Sequence, residues 1–413
     1  MSDTPSLDMN FVRNQFPDTV WEWAFFENAG GSFVPTSVVE RLNAYMIESH
    51  VQPHASYAPS ALAARRMVEG QRLTAEMINA DADEVIVGPN TTANVFVLAH
   101  ALRPLFKEGD EIVVTNLDHE ANSGAWRRMG ETGITVREWR FNPDTAELEI
   151  EALEELLSER TRLVCFPHCS NITGGISDAA AIVEKVHAAG AMACVDGVAF
   201  APHRHVDVKA LDADFYLFSS YKVFGPHLGI LYGKRERLLE ARSQNHFFIG
   251  EDAVQAKLNP GAANHELTAA LVGVADYFEA VYRDHFAAAS NSFGERVARA
   301  YGLFSEHEET LSARFLDFVQ SKPRVRLYGP PTVERAPTFS FSVDGFPSAT
   351  IPPQLEDGRV GIRSGHFYAY RLVRDLGLDP EDGVVRVSMA HYNSLDEVDR
   401  LIRGLDRVIP DGR

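Results

Sequence analysis

Cysteine is scarce in this sequence. Only Cys165, Cys169 and Cys194 occur among the 413 residues, and each lies within or beside an apolar run. This pattern argues against a disulfide framework and favours buried thiols in a reducing compartment. We therefore expect a cytoplasmic protein whose stability comes from a hydrophobic core rather than from cross-links.

The sequence also lacks blocks of basic residues and long apolar runs. Its formal net charge is −19, and the acidic residues are spread along the chain. This distribution argues against binding to nucleic acid or to an anionic membrane surface. No apolar run approaches the roughly 18 residues that cross a bilayer, and the first residues, MSDTPSLDMN, show no export signal. The 45% of apolar residues is ample for one globular subunit of two domains.

Short apolar runs alternate with helical patterns through the first part of the chain. Runs rich in β-branched residues predict strands at 84–87, 111–115, 135–138, 163–166, 191–195 and 215–218. Apolar residues at spacings of three and four predict helices between them, at 93–102, 151–157 and 179–188. Because several strands are apolar at successive positions, we expect a mostly parallel sheet covered by helices on both faces. The sequence therefore predicts an α/β fold.

The pattern changes after Gly261. Two long amphipathic helices are predicted at 268–282 and 293–319, followed by a strand at 338–343. Asn393 is predicted to cap a closing helix over 395–409. We assign residues 1–265 to a large domain, whose N-terminal segment contributes to the smaller one, and residues 266–413 to a smaller C-terminal α+β domain.

Polar residues follow several predicted strands, at the edge of the sheet where open α/β proteins bind ligands. Asn90, Thr91 and Thr92 open a helix and offer hydroxyl and free backbone N–H groups to an anion. His119 offers a ring that can stack on a flat ligand or act as an acid or base. Taken singly, the first group is more typical of a helix cap and the histidine of a solvated loop residue.

Three further strand ends carry reactive groups. Asn171 offers an amide, Asp196 a carboxylate, and Lys222 an amine that follows Ser219 and Tyr221. Each alone is typical of a turn or a surface charge. Together they supply a carboxylate for a pyridinium nitrogen, a lysine for a Schiff base, a stacking ring and phosphate donors, which is the set that pyridoxal 5′-phosphate requires. The sequence therefore predicts this cofactor.

Other catalytic motifs are incomplete, since no GxGxxG, GxxxxGK or HExxH sequence occurs. Ser219-x-x-Lys222 matches the serine–lysine motif of penicillin-recognising hydrolases. The KTG element of those enzymes is missing, however, and Gly225 and Pro226 stand where the helix of that motif would continue. A serine hydrolase is therefore the weakest alternative.

These residues belong to longer segments that resemble one family nearly end to end. The segments are FFENAGGSFVP, GPNTTANVFVLAHAL, LDHEANSGAW, HCSNITGG, VDGVAFAPH, DFYLFSSYKVFGPHLGILYGK, GIRSGHFYA and VVRVSMAHYNSLDEVDRLI. The sequence resembles the cysteine desulfurase and selenocysteine lyase group of pyridoxal phosphate enzymes, also called class V aminotransferases. The resemblance implies fold-type I, with a large domain around a seven-stranded, mostly parallel sheet, a smaller C-terminal domain, and a homodimer with shared active sites.

The resemblance also implies roles by position. Lys222 corresponds to the Schiff-base lysine, Asp196 to the partner of the pyridinium nitrogen, and His119 to the ring stacked on the cofactor. Thr91, Thr92, Ser219 and Tyr221 correspond to residues that bind the cofactor phosphate. Asn171 corresponds to a residue that contacts both the cofactor oxygen and the substrate, and Arg386 to the one that binds the substrate carboxylate. An arginine suits that last position because its fork binds a carboxylate through two hydrogen bonds.

Three positions depart from the family pattern. Tyr368 stands where the most similar desulfurases carry the cysteine that accepts sulfur as a persulfide, so sulfur transfer by that route is not expected. Ala199 replaces a polar residue that touches the cofactor oxygen. Ala262 replaces a threonine that the partner subunit often donates to the phosphate. Weaker cofactor binding is the expected result.

These features predict transamination or β-elimination of a small L-amino acid through Lys222. Tyr368 either donates a proton to a leaving group or simply fills space near the pocket. Racemisation or epimerisation by the same residues is an alternative, and so is a non-catalytic binding protein with this fold. Retention of Lys222, Asp196, His119 and Arg386 favours an enzyme over a scaffold.

Overall fold

The computed structural model describes residues 5–287 and 292–409. Its α-helices are α1 (Met9–Arg13), α2 (Thr36–Glu48), α3 (Ala58–Met77), α4 (Thr91–Leu102), α5 (Glu120–Arg128), α6 (Ile150–Glu154), α7 (Ala179–Ala188), α8 (Val208–Leu211), α9 (Arg235–Glu240), α10 (Val254–Lys257), α11 (His265–His285), α12 (Phe293–Ser321), α13 (Tyr370–Asp375) and α14 (Leu395–Val408). Its β-strands are β1 (Ala24–Phe25), β2 (Val85–Gly88), β3 (Glu111–Thr115), β4 (Thr135–Trp139), β5 (Thr161–Pro167), β6 (Met192–Asp196), β7 (Phe215–Ser219), β8 (Gly229–Gly233), β9 (Val325–Tyr328), β10 (Thr338–Val343), β11 (Val360–Gly361), β12 (Arg363–Gly365) and β13 (Val384–Ser388).

Seven strands form the central sheet, in the order β2-β8-β7-β6-β5-β3-β4. The pairs from β7 to β4 are parallel, whereas β8 runs antiparallel to both of its neighbours, β2 and β7. Because the connections between parallel strands cross over the sheet, the carboxyl ends of β3, β5, β6 and β7 meet at one edge. The predicted α/β class and the mostly parallel sheet are confirmed.

Helices cover both faces of this sheet. Side chains of α7 and α11 pack in one core cluster on one face, and side chains of α4 and α5 pack in another on the opposite face. Strands β3, β6 and β7 are consequently buried at every position. This double coverage is the physical reason for their unbroken apolar runs.

A second, antiparallel sheet has the strand order β12-β13-β10-β9. Its apolar face packs against α12 and α14. Helix α14 begins after Ser394, whose hydroxyl accepts a hydrogen bond from the Glu397 N–H, while the Glu397 carboxylate accepts one from the Ser394 N–H. The prediction that Asn393 caps this helix was wrong, because the Asn393 amide oxygen instead accepts the Ala390 N–H at 2.9 Å.

Several predicted elements have the predicted bounds, namely β3, α7 and β10. The C-terminal helices α11 and α12 are longer than predicted, and α11 packs against α2 and α3 beside the central sheet. The division of the chain at residues 265 and 266 stays a prediction. Within the described ranges, no helix is both long and apolar enough to cross a membrane.

Candidate active site

Eight of the nine predicted site residues line one cavity at the carboxyl edge of the central sheet. They are Thr91, Thr92, His119, Asn171, Asp196, Ser219, Tyr221 and Lys222. The ninth, Arg386, lines an adjoining cavity together with His119, Asn171, Tyr221 and Lys222. Residues from five strand ends and from the second sheet therefore converge on one continuous region.

Asp196 is the last residue of β6 and is buried. One of its carboxylate oxygens accepts a hydrogen bond from the Val198 N–H at 2.8 Å. Burial raises the pKa of this carboxyl to about 6, although the nearby Lys222 ammonium acts in the opposite direction. A buried carboxylate of this kind is stabilised by a cationic partner, which a protonated pyridine nitrogen provides.

Lys222 ends the short 3-10 turn Ser220–Lys222, directly after β7, and its side chain is buried. Burial and the Arg386 guanidinium lower the pKa of its amine, the Asp196 carboxylate raises it, and the net pKa is about 8. A sizeable fraction of this amine is therefore neutral near physiological pH, as a nucleophile requires.

His119 is the N-cap residue of helix α5, and its Nδ1 accepts a hydrogen bond from the Ala121 N–H at 3.0 Å. Burial, with the Lys222 and Arg386 cations acting in the same direction, lowers the pKa of the ring to about 3. The imidazole is therefore neutral, and its fixed position at the cavity wall suits stacking on a flat ring.

The start of α4 forms an anion cradle. The Asn90 side chain accepts the Ala93 N–H at 2.8 Å, and the hydroxyls of Thr91 and Ser219 share a hydrogen bond of 2.7 Å. The first N–H groups of α4 have no intrahelical acceptor. They lie at the positive end of the helix dipole, which borders the cavity. A side chain at Gly229 would put its Cβ 2.3 Å from the Asn90 carbonyl carbon, so only glycine lets β8 support this turn so closely.

Arg386 lies on β13 and is buried. Its Nη1 donates to the Asn171 carbonyl at 3.1 Å, but its Nε has no hydrogen-bond partner among the described residues. Burial and the Arg363 cation lower the pKa of this guanidinium, the Glu27 carboxylate raises it, and the net pKa is about 9. A buried donor left unpaired costs about 1–3 kcal/mol, so this edge of the guanidinium is typical of a group that binds an anionic ligand.

The sequence model of the Aminotransferase class-V family matches residues 24–401. This chain belongs to the class-V aminotransferase family. The predicted family is therefore confirmed. The prediction that this chain is a pyridoxal phosphate-dependent enzyme is confirmed with it. The cavity fits that cofactor, because it combines a buried carboxylate, a buried amine, a neutral ring and an anion cradle.

Relatives of this class-V enzyme include the aminotransferase-like protein FGM3 of Gibberella zeae, which is 39% identical over 98% of this chain and 99% of its own length. The cysteine desulfurase-like protein ustD of Aspergillus flavus is 34% identical over 98% of this chain and 91% of its own. A solved structure of a cysteine desulfurase from Thermococcus onnurineus superimposes with a TM-score of 0.85, at 25% identity and 99% coverage of both chains. This likeness confirms fold-type I.

The three cysteines of this class-V enzyme are buried. Cys169 is the one that lines the cofactor cavity, and burial raises the pKa of its thiol to about 12. It therefore stays a thiol rather than the reactive thiolate. Tyr368 is 69% exposed, and its ring centre lies 5.3 Å from that of His119.

Ala199 and Ala262, the other two predicted departures from the family pattern, lie in different places. Ala199 lines the cofactor cavity and brings no polar side-chain atom to it. Ala262 is exposed and lines neither cavity of its own chain.

Glu27, Arg363 and Phe367 are among the residues of the adjoining cavity that were not predicted as site residues. Arg363 lies directly opposite Arg386 across the β12–β13 pair, and its Nη1 is 3.2 Å from a Glu27 carboxylate oxygen. Strands β1 and β12 are only two and three residues long, so no periodicity marks them. The only available signal was their place in segments that resemble the family.

Proposed function

We propose that this enzyme removes the α-proton of a small L-amino acid with Lys222 and converts that amino acid by transamination or β-elimination. One observation carries the proposal: the Lys222 amine, the Asn171 amide and the Arg386 guanidinium border the same cavity, beside a cradle for the cofactor phosphate. The family supplies the cofactor, but it does not choose between these two reactions.

Arg386 and Asn171 bind the substrate carboxylate in this proposal. Nη1 of Arg386 is already engaged by the Asn171 carbonyl, so the edge formed by Nε and Nη2 is the one that is open to two parallel hydrogen bonds with a carboxylate. This grip fixes the α-carbon beside Lys222, which orients the proton to be removed.

Lys222 binds the cofactor between turnovers and accepts the α-proton once the substrate amine has replaced it. Its lowered pKa of about 8 supports this role, because a general base must be available in its unprotonated form, and this value leaves a usable fraction of the amine neutral near physiological pH. When bound, pyridoxal phosphate supplies the electron sink for the charge left on the α-carbon. Asp196 keeps the pyridine nitrogen protonated, and His119 holds the ring flat against the cavity wall.

Tyr368 sets this enzyme apart from a persulfide-forming desulfurase. Its exposed phenol borders the substrate cavity, and the thiol of Cys169 is kept protonated by burial. We therefore propose that the reaction leaves no sulfur bound to the enzyme. Two relatives, an aminotransferase-like protein and a cysteine desulfurase-like protein, support the same pair of reactions.

An absorbance spectrum of the purified enzyme beside Lys222→Ala tests the proposal, with Lys209→Ala as a control because Lys209 is exposed and pairs with Asp81. We expect a violet cofactor band in the wild type and in the control, and its loss in Lys222→Ala. A panel of L-amino acids then separates the reactions. Release of keto acid with ammonia indicates elimination, whereas keto acid without ammonia and an amine form of the cofactor indicate transamination. A wild type without this band, even with added cofactor, would refute the proposal.

The same proposal includes a homodimer in the cytoplasm, with a small amino acid as its substrate and without nucleic acid or membrane as a partner. The net charge of −19 supports the last point. Exposed large apolar side chains on α2 and in the 246–249 segment support self-association.

A further inference from the structure

The segment from Gly365 to Tyr368 has an unusual backbone. Phe367 and Tyr368 both lie in the left-handed region, with φ of 47° and 60°, although neither is glycine. Bulky L-residues adopt this conformation only where the surroundings enforce it, and such sites are concentrated where function requires them.

Three hydrogen bonds hold this backbone in place. The Asn171 side-chain amide donates to the Phe367 carbonyl at 3.0 Å, and the Glu120 N–H donates to the Tyr368 carbonyl at 2.8 Å. The Tyr368 N–H itself donates to the His366 ring at 3.1 Å. The segment is therefore fixed to Asn171, which borders both cavities, and to the first residue of α5.

This backbone places the Phe367 ring on the guanidinium of Arg386. The central guanidinium carbon is 3.6 Å from the ring centre, so the two groups are in close contact. Phe367 also contacts Arg386 indirectly, because its carbonyl binds the side chain of Asn171 while the Asn171 carbonyl binds Arg386. Each of the three residues thus restrains the other two.

We infer that Phe367 is a positioning residue for the substrate carboxylate, because its ring covers one face of the Arg386 guanidinium and holds the unpaired Nε edge towards the substrate cavity. This inference rests on the proposed function. An aromatic face attracts a cation and excludes water from it, so the ring limits the guanidinium to orientations that suit in-plane hydrogen bonds to a carboxylate. Phe367 touches neither the reacting atoms nor the cofactor in this role.

Two non-reacting probes test the inference on the holoenzyme. 2-Aminoisobutyrate has an amine and a carboxylate but no α-proton. tert-Butylamine carries a methyl group in place of the carboxylate, so it has the amine alone and also lacks this proton. The dissociation constant of each is measured from the shift of the cofactor absorbance band. We expect Phe367→Ala to weaken 2-aminoisobutyrate binding by about tenfold, Phe367→Leu by about threefold, and Phe367→Tyr by less than about twofold. tert-Butylamine binding should change by less than about twofold in all three variants, because it has no carboxylate for Arg386 to bind.

Two controls separate positioning from a structural effect. Phe346→Ala removes a second aromatic ring that covers an arginine, at 5.2 Å from Arg324, and it should change neither dissociation constant. In an Arg386→Lys background, Phe367→Ala should weaken 2-aminoisobutyrate binding by less than about twofold, since the guanidinium it positions is gone. Equal weakening of both probes by Phe367→Ala, or no weakening of 2-aminoisobutyrate, would overturn the inference while leaving the proposed function intact. A wild type whose band responds to neither probe would instead contradict the proposed function.

Discussion

The charge state of Lys222 is set by groups that act in opposite directions. Burial and the Arg386 cation lower the pKa of this amine to about 8, and the Asp196 carboxylate raises it. Only the neutral amine attacks the cofactor aldehyde. Uptake of pyridoxal phosphate by cofactor-free enzyme should therefore speed up by about tenfold per pH unit below pH 8 and level off above it. Stopped-flow absorbance between pH 6 and 9.5 measures this profile.

Two variants should move this profile in opposite directions. Arg386→Gln removes a cation that disfavours the ammonium form, so its midpoint should shift to higher pH. Asp196→Asn removes the anion that favours the ammonium form, so its midpoint should shift to lower pH. Shifts of the same sign, or a flat wild-type profile, would show that these two neighbours do not control the Lys222 amine.

At the scale of residues, the sequence was most informative where one side chain has one chemical use. Lys222 and Asp196 each follow a recognisable buried strand, and the structure brings both to the cofactor cavity. Phe367 could not be recognised in this way. Its importance depends on a left-handed backbone and on a contact with Arg386, which is 19 positions away in the chain. A phenylalanine in a loop carries no sequence signal for either.

At the scale of elements, the start of α4 depends on its neighbour β8. A Cβ at position 229 would lie 2.5 Å from the Thr91 nitrogen and 2.3 Å from the Asn90 carbonyl carbon. Gly229→Ala should therefore displace the first turn of α4, lower the free energy of unfolding by about 1–3 kcal/mol and weaken cofactor binding. Urea denaturation and titration with pyridoxal phosphate measure the two effects.

Gly302→Ala is the matched control for that prediction. A Cβ at Gly302 meets nothing within 4 Å, and the residue lies inside α12. Alanine is favoured over glycine in a helix interior by about 0.5–1 kcal/mol, so this variant should be as stable as the wild type or more so, with unchanged cofactor binding. If Gly229→Ala behaves like Gly302→Ala, the close approach of β8 does not shape the cradle.

The same strand shows where prediction of the fold stopped. Parallel strands β3, β6 and β7 were predicted because burial on both faces gives them runs of successive apolar residues. Strand β8, GILYG, begins and ends with glycine and was not among the predicted strands. It runs antiparallel between β7, its neighbour in the chain, and β2, which lies far away in the chain, and local periodicity does not encode that second pairing.

At the scale of the whole molecule, two adjacent phenylalanines are exposed to solvent in the single chain. Phe247 is 100% exposed and Phe248 is 69% exposed, which is costly in water unless a second surface covers them. We therefore expect a dimer of twice 45.8 kDa, measured by light scattering after size-exclusion chromatography. Phe247→Ser combined with Phe248→Ser should shift the mass towards that of one chain. Leu239→Ser, which removes another exposed apolar side chain, should leave the dimer unchanged.

Dimerisation should also affect the cofactor if the two subunits share their active sites. Ala262 is exposed and faces neither cavity of its own chain, so a hydroxyl at this position reaches phosphate only across a subunit interface. Ala262→Thr should then tighten binding of pyridoxal phosphate by up to about tenfold, which corresponds to one additional hydrogen bond to a charged group. The gain should disappear when Ala262→Thr is combined with the two serine substitutions. Equal tightening in the dimer and in the dissociated chain would mean that each subunit builds its phosphate site alone.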